Sequence, residues 1–202
     1  MSEISKGEEH RFFPSFFPRF LALVLVAGVL FPSPCAAQES AKDRLSAFDR
    51  LAEEAALLNQ RGQSDKVIVL LEPRRKDPKN DSALFFNELG IAYRRTGKLS
   101  DAIGAYQEAL SRDPQNPVIM NNLGSVYIQQ KDYAKGVEQY QKVLQSNPRF
   151  KEAHSNLGLA YYRMGKYREA LSEMETVLRL DPQHPEAKKL RDEIRGKINV
   201  KK

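Results

Sequence analysis

Ala83-Leu84-Phe85-Phe86-Asn87-Glu88-Leu89-Gly90-Ile91-Ala92-Tyr93 is the stretch whose reading decides the fold. Phe86, Leu89, Gly90 and Tyr93 stand at i, i+3, i+4 and i+7, one face of a helix and not the alternation of a strand. The tripeptide Glu88-Leu89-Gly90 returns 34 residues on as Asn122-Leu123-Gly124 and again as Asn156-Leu157-Gly158. Tyr93, Tyr127 and Tyr161 keep the same step, and so do Pro114, Pro148 and Pro182. A fixed period in this range marks a solenoid, whose units cannot bury their apolar faces alone.

The local chemistry makes each unit a pair of helices. Ala102, Tyr106, Ala109 and Leu110 supply the apolar face of the second helix in the first unit. Gly inside a helix costs about 1 kcal/mol relative to Ala, so Gly at three equivalent places implies close helix packing. Gly97 and Gly165 suit a left-handed end to the first helix of their units. The prolines after Asp113, Asn147 and Asp181 end the second helices, because a residue before proline avoids the helical region. Pro117 suits a first helical turn, where the missing N–H costs nothing.

These residues resemble the tetratricopeptide repeat, with Ala83, Pro117 and Lys151 as first positions. The family pattern sets a large residue at position 4, Leu-Gly at 7 and 8, Tyr at 11, Ala at 20, an aromatic at 24, Ala at 27 and Pro at 32. The first unit matches throughout, with Phe86, Leu89, Gly90, Tyr93, Ala102, Tyr106, Ala109 and Pro114. The second departs at Met120, Gly136 and Val143. The third departs at His154, Met174 and Val177 but keeps Ala170. The resemblance implies an all-α, right-handed α-solenoid of antiparallel helix pairs, with units at 83–116, 117–150 and 151–184.

The edges are read from the residues. Leu45, Phe48, Leu51, Ala52 and Ala55 give an apolar stripe on a helix expected from Ala41 to Gln60. Ser64 is expected to cap a second, short helix that Pro73 cuts off. Residues 38–82 therefore read as a degenerate first repeat. Pro185 opens a last helix with Ala187, Leu190, Ile194 and Ile198 on one edge and basic residues opposite. Residues 185–202 read as a capping helix with a frayed tail from Asn199.

The first 37 residues read as an export signal. Arg11 and Arg19 precede the apolar run from Phe20 to Phe31, which fits a signal core and is short of a bilayer span. Cleavage is expected after Ala37, giving a periplasmic protein. The long leader with Glu3, Glu8 and Glu9 keeps an uncleaved inner-membrane anchor facing the periplasm as the alternative. Pro32-Ser33-Pro34 before Cys35 lacks a lipoprotein pattern, and a chain cut after Ala37 holds no cysteine. The net charge of +6 is concentrated at Arg74-Arg75-Lys76 and along Lys188 to Lys202. A solvated surface is the plainer reading, and contact with a membrane surface or an acidic partner the sharper one. No nucleic-acid recognition motif is present in the sequence.

No catalytic constellation emerges, so the sequence reads as a non-enzyme without cofactor or metal. His10 leaves with the leader, His154 takes a packing position, and His184 lies in a turn. Function is expected on the inner face. The family lines it with positions 2, 5, 6, 9, 12 and 13, here including Leu84, Asn87, Ile91, Arg94, Val118, Asn121, Asn122, Ile128, Asn156, Leu159, Tyr162 and Arg163. Asn122 and Asn156 stand where peptide-binding members use an amide on the ligand backbone, since a carboxamide donates and accepts together. Family inheritance without a ligand weighs evenly against that role. Relatives that clamp a peptide carboxylate use basic and amide groups at positions including 5 and 9. Those places hold Asn87, Ile91, Asn121, Ser125, Ser155 and Leu159, so that clamp is not expected. Ile91, Ile128, Leu159 and Tyr162 form an expected apolar floor, and Arg94, Arg95 and Arg163 a rim. The resulting expectation is a protein or peptide partner in the cell envelope, against a membrane-anchored adaptor or a self-associating protomer.

Overall fold

The computed structural model describes residues 46–199, which form nine α-helices and no strand. They are α1 (Ala47–Gln60), α2 (Ser64–Leu71), α3 (Ala83–Arg95), α4 (Leu99–Arg112) and α5 (Pro117–Gln129). α6 (Tyr133–Ser146), α7 (Lys151–Arg163), α8 (Tyr167–Leu180) and α9 (Pro185–Asn199) complete the array. The leader with Cys35, His10 and the cleavage point after Ala37, the Leu45 position, and residues 200–202 lie outside the described residues.

Capping chemistry sets the helix starts. Ser46 is extended and its Oγ accepts the Asp49 N–H at 3.0 Å, so α1 begins at Ala47, and the expected start at Ala41 lies outside the described residues. Ser82 and Asp132 do the same for α3 and α6, and the Asn116 amide oxygen takes two N–H groups ahead of Pro117. Ser64 departs from its expected role: it is already helical, and its Oγ donates to Asn59 Oδ1 at 3.1 Å. α2 stops at Leu71, and Pro73 lies in a 3₁₀ turn, Glu72–Arg74. Asn199 is still helical, so α9 runs further than expected.

The first helices of the three regular pairs begin at Ala83, Pro117 and Lys151, and the second ones end before Asp113, Asn147 and Asp181. Each turn within a pair needs one left-handed residue. Gly97 (φ 79°) and Gly165 (φ 73°) supply it, and in the middle pair Lys131 takes the same conformation (φ 65°). Helices pack on their sequence neighbours, and α3 also touches α5 while α5 touches α7. This is the nearest-neighbour arrangement of a solenoid. The core runs from Ala52 in α1 through Phe85, Leu89 and Tyr106, then Tyr140 and Leu157, to Met174 and Ile194.

Candidate functional site: the inner face of the first helices

α3 touches α5 and α5 touches α7, so the face they share is lined by side chains at the same places in each helix. Four of the asparagines there are joined in two pairs across repeats. Asn122 Nδ2 donates to Asn87 Oδ1 at 3.1 Å, and Asn156 Nδ2 donates to Asn121 Oδ1 at 3.0 Å. Position 6 of one helix is thus tied to position 5 of the helix before it. Each donating amide keeps its own oxygen and one N–H outside that bond. Asn87 and Asn121 are buried, whereas Asn122 and Asn156 are half-buried.

At the N-terminal end the ladder changes chemistry. Glu88 is 7% exposed and accepts from Asn59 Nδ2 at 2.9 Å and Asn87 Nδ2 at 3.2 Å. Burial pushes its carboxyl above the ordinary value, and the two amides and the Arg95 charge oppose that rise. Arg95 itself donates to the Asn59 carbonyl. Arg94 is half-buried with its Nε unpartnered, and Arg163 is exposed.

The apolar positions divide. Leu84, Val118 and Leu159 are 43%, 49% and 36% exposed and line the open face. Ile128 does not: it is buried with Tyr140, Leu157 and Ala160, where it fills the space left by Gly136. Ile91 is half-buried against the core. Tyr162 is half-buried, with its ring 5.6 Å from that of Tyr167 and its hydroxyl donating to Glu193 of α9.

Two recesses open along this face. One, of about 660 Å³, lies at the N-terminal ends of α1, α3 and α5, among Asp49, Asp81, Leu84, Asn87, Asp113 and Val118. The other, of about 260 Å³, lies between α7 and α9, with Ser155, Leu159, Leu190 and Glu193 in its wall. Asp49 is held below the usual carboxylate range, first by the bond from the Ser82 hydroxyl and then by Ser46. The sequence pointed to Leu84 and Val118 through their place in the repeat. The acidic lining was missed, because Asp49 and Asp81 lie outside the periodic pattern and Asp113 was read only as the residue before the helix-ending Pro114.

Among the described residues no group of three or more His, Cys, Asp or Glu could hold a metal ion. His154 bridges elements instead, with Nδ1 2.6 Å from Glu173 and Nε2 3.0 Å from the Pro148 carbonyl. His184 Nδ1 accepts the Ala187 N–H at 3.3 Å at the start of α9. The basic run at 74–76 is partly engaged: Arg75 holds Glu108 at 2.7 Å, and Arg74 donates to the Leu70 carbonyl. No helix among the described residues is long and apolar enough to cross a membrane.

Two profiles of the tetratricopeptide repeat match the chain, over residues 87–149 and 127–194. The first repeat domain of human RPAP3 is 31% identical, with a TM-score of 0.57, covering 59% of this chain and 94% of that one. The chain belongs to the tetratricopeptide repeat family. The RPAP3 domain in its complex with the HSP90 peptide SRMEEVD is 30% identical, with a TM-score of 0.56, covering 60% of this chain and 96% of that chain. PilF of Pseudomonas aeruginosa is 25% identical, with a TM-score of 0.68, covering 76% of this chain and 70% of its own. Among curated protein sequences no match is found. The tetratricopeptide units seen in sequence and the helix pairs in space share one register, set by Gly90, Gly124 and Gly158.

Proposed function

We propose that this chain is a non-catalytic scaffold whose inner face binds an extended or helical segment of a protein partner. The observation that carries the reading is the line of exposed Leu84, Val118 and Leu159 beside two open recesses, on a face whose polar groups are already positioned by the amide ladder. Apolar anchors beside fixed hydrogen-bonding groups are what a peptide groove requires. The RPAP3 domain, 30% identical, binds the HSP90 peptide SRMEEVD. Here the places used for a carboxylate clamp hold Asn87, Ile91, Asn121, Ser125, Ser155 and Leu159, so the recognition chemistry differs.

The test is titration calorimetry with a partner captured by the full chain. Leu159→Ser and Tyr162→Ala should weaken binding at least about tenfold, the effect of losing roughly 1.4 kcal/mol of contact. Lys142→Ala on the second-helix side should leave it unchanged. Equal affinity for all variants would place the partner elsewhere.

We assign the scaffold to the bacterial cell envelope, on the leader pattern from Arg11 to Ala37 alone. N-terminal sequencing of the protein from its host should begin at Gln38. A full-length cytoplasmic chain would reject that setting.

A further inference from the structure

The geometry points to the 660 Å³ recess at the start of α1, α3 and α5 as the seat of a cationic side chain flanked by an aliphatic one on the bound peptide. This rests on the reading of the inner face as a peptide site and gives that site a charge preference. The volume lies within the range of about 300–1,000 Å³ typical of ligand pockets. Its apolar wall is Leu84 and Val118, both close to half exposed, which suits an aliphatic side chain.

The charge of the recess comes from Asp49, Asp81 and Asp113, and no Lys, Arg or His lines it. None of the three carboxylates forms an ion pair among the described residues. Three helix N-termini also face this end and oppose the carboxylates, but each is equivalent to only about half a unit charge. Some of their N–H groups are already taken, that of Asp49 by Ser46, that of Phe85 by Ser82, and those of Val118 and Ile119 by Asn116. The carboxylates therefore outweigh the helix ends roughly two to one. An acidic segment would meet repulsion here, and a Lys or Arg would meet carboxylates bonded only to neutral groups, Asp49 to the Ser46 and Ser82 hydroxyls and Asp113 to the Asn116 amide. The preference is the opposite of that expected for an acidic peptide ending in a carboxylate.

The experiment uses the full chain and two end-blocked peptides, acetyl-Ala-Lys-Leu-Lys-Val-Ala-amide and its counterpart with Glu in place of Lys. The lysine peptide should bind more tightly, and raising salt should narrow the difference. Asp81→Asn and Asp113→Asn should each weaken the lysine peptide by about two- to fivefold, the range of a partly exposed ion pair. Equal binding of the two peptides, no binding of either, or unchanged affinity in both variants overturns the assignment. So does binding that appears only after Lys42→Ser and Arg44→Ser, which would mean that the chain's own preceding segment holds the recess. If the captured partner still responds to Leu159→Ser and Tyr162→Ala while the Asp variants are inert, the recess assignment falls and the inner-face reading stands. If no inner-face variant matters, both fall.

Discussion

A methyl group added at Gly90 or Gly124 would stand 2.7 Å from Cε1 of Tyr106 or Tyr140, closer than real side chains approach. At Gly158 the nearest atom is instead the terminal Cε of Met174, at 2.4 Å, with Glu173 Cβ behind it at 3.0 Å. A ring wedged in the core cannot yield, whereas a thioether end can rotate away. Gly90→Ala and Gly124→Ala should each cost about 1–3 kcal/mol, and Gly158→Ala clearly less, in urea unfolding of the full chain. Equal losses at all three would refute this packing account. The tyrosine hydroxyls predict a difference of sign. Tyr140 OH lies 3.1 Å from Ser125 Oγ, while Tyr106 OH is buried without a partner because Ile91 stands where Ser125 does. Tyr140→Phe should lose about 1 kcal/mol, and Tyr106→Phe should be neutral or gain by a similar amount. A loss at Tyr106 matching that at Tyr140 would contradict the assignment.

Asp49 joins two helix starts, since it receives the hydroxyls of both Ser46 and Ser82. Its folded carboxyl titrates below the ordinary 3.8. The stability it contributes is therefore fully present above pH 3.8 and is lost as pH falls through the lower, folded value. Asp49→Asn should cost on the order of 1 kcal/mol at neutral pH, and the gap to wild type should close in acid. A gap that stays constant down the titration would show that charge is not involved.

At the scale of elements, the amide ladder joins α3 to α5 and α5 to α7 without any help from the core. Asn122→Ala and Asn156→Ala should each lower stability by about 0.5–1.5 kcal/mol, whether or not a partner is present. Differential scanning calorimetry of the free chain tests this, and unchanged melting in both variants would leave the asparagines free for ligand alone. The residues that made this legible are uneven. Leu-Gly and Tyr at a fixed step announce the helix pairs, because packing demands the same sizes at the same places. The role of Asn122 and Asn156 as links between repeats is not visible in a single unit, since it depends on which amide lies 35 positions away. Ile128 misled for a related reason. Its place in the repeat is an inner-face place, but the missing Cβ of Gly136 draws it into the core.

For the molecule as a whole, the 34-residue period carries most of the fold, and the edges carry least. The cap at Ser46, and Ser64 inside α2, are decided by local hydrogen bonds that composition does not rank. The acidic recess emerges only when α1, α3 and α5 are brought together. The central claim is that the face shared by α3, α5 and α7 is where this protein meets its partner. Hydrogen exchange of the full chain, free and with a captured partner, tests it most directly. The account predicts added protection along 84–95, 118–129 and 152–163, with α4, α6 and α8 unchanged. Protection that falls on α4, α6 and α8 instead would contradict it.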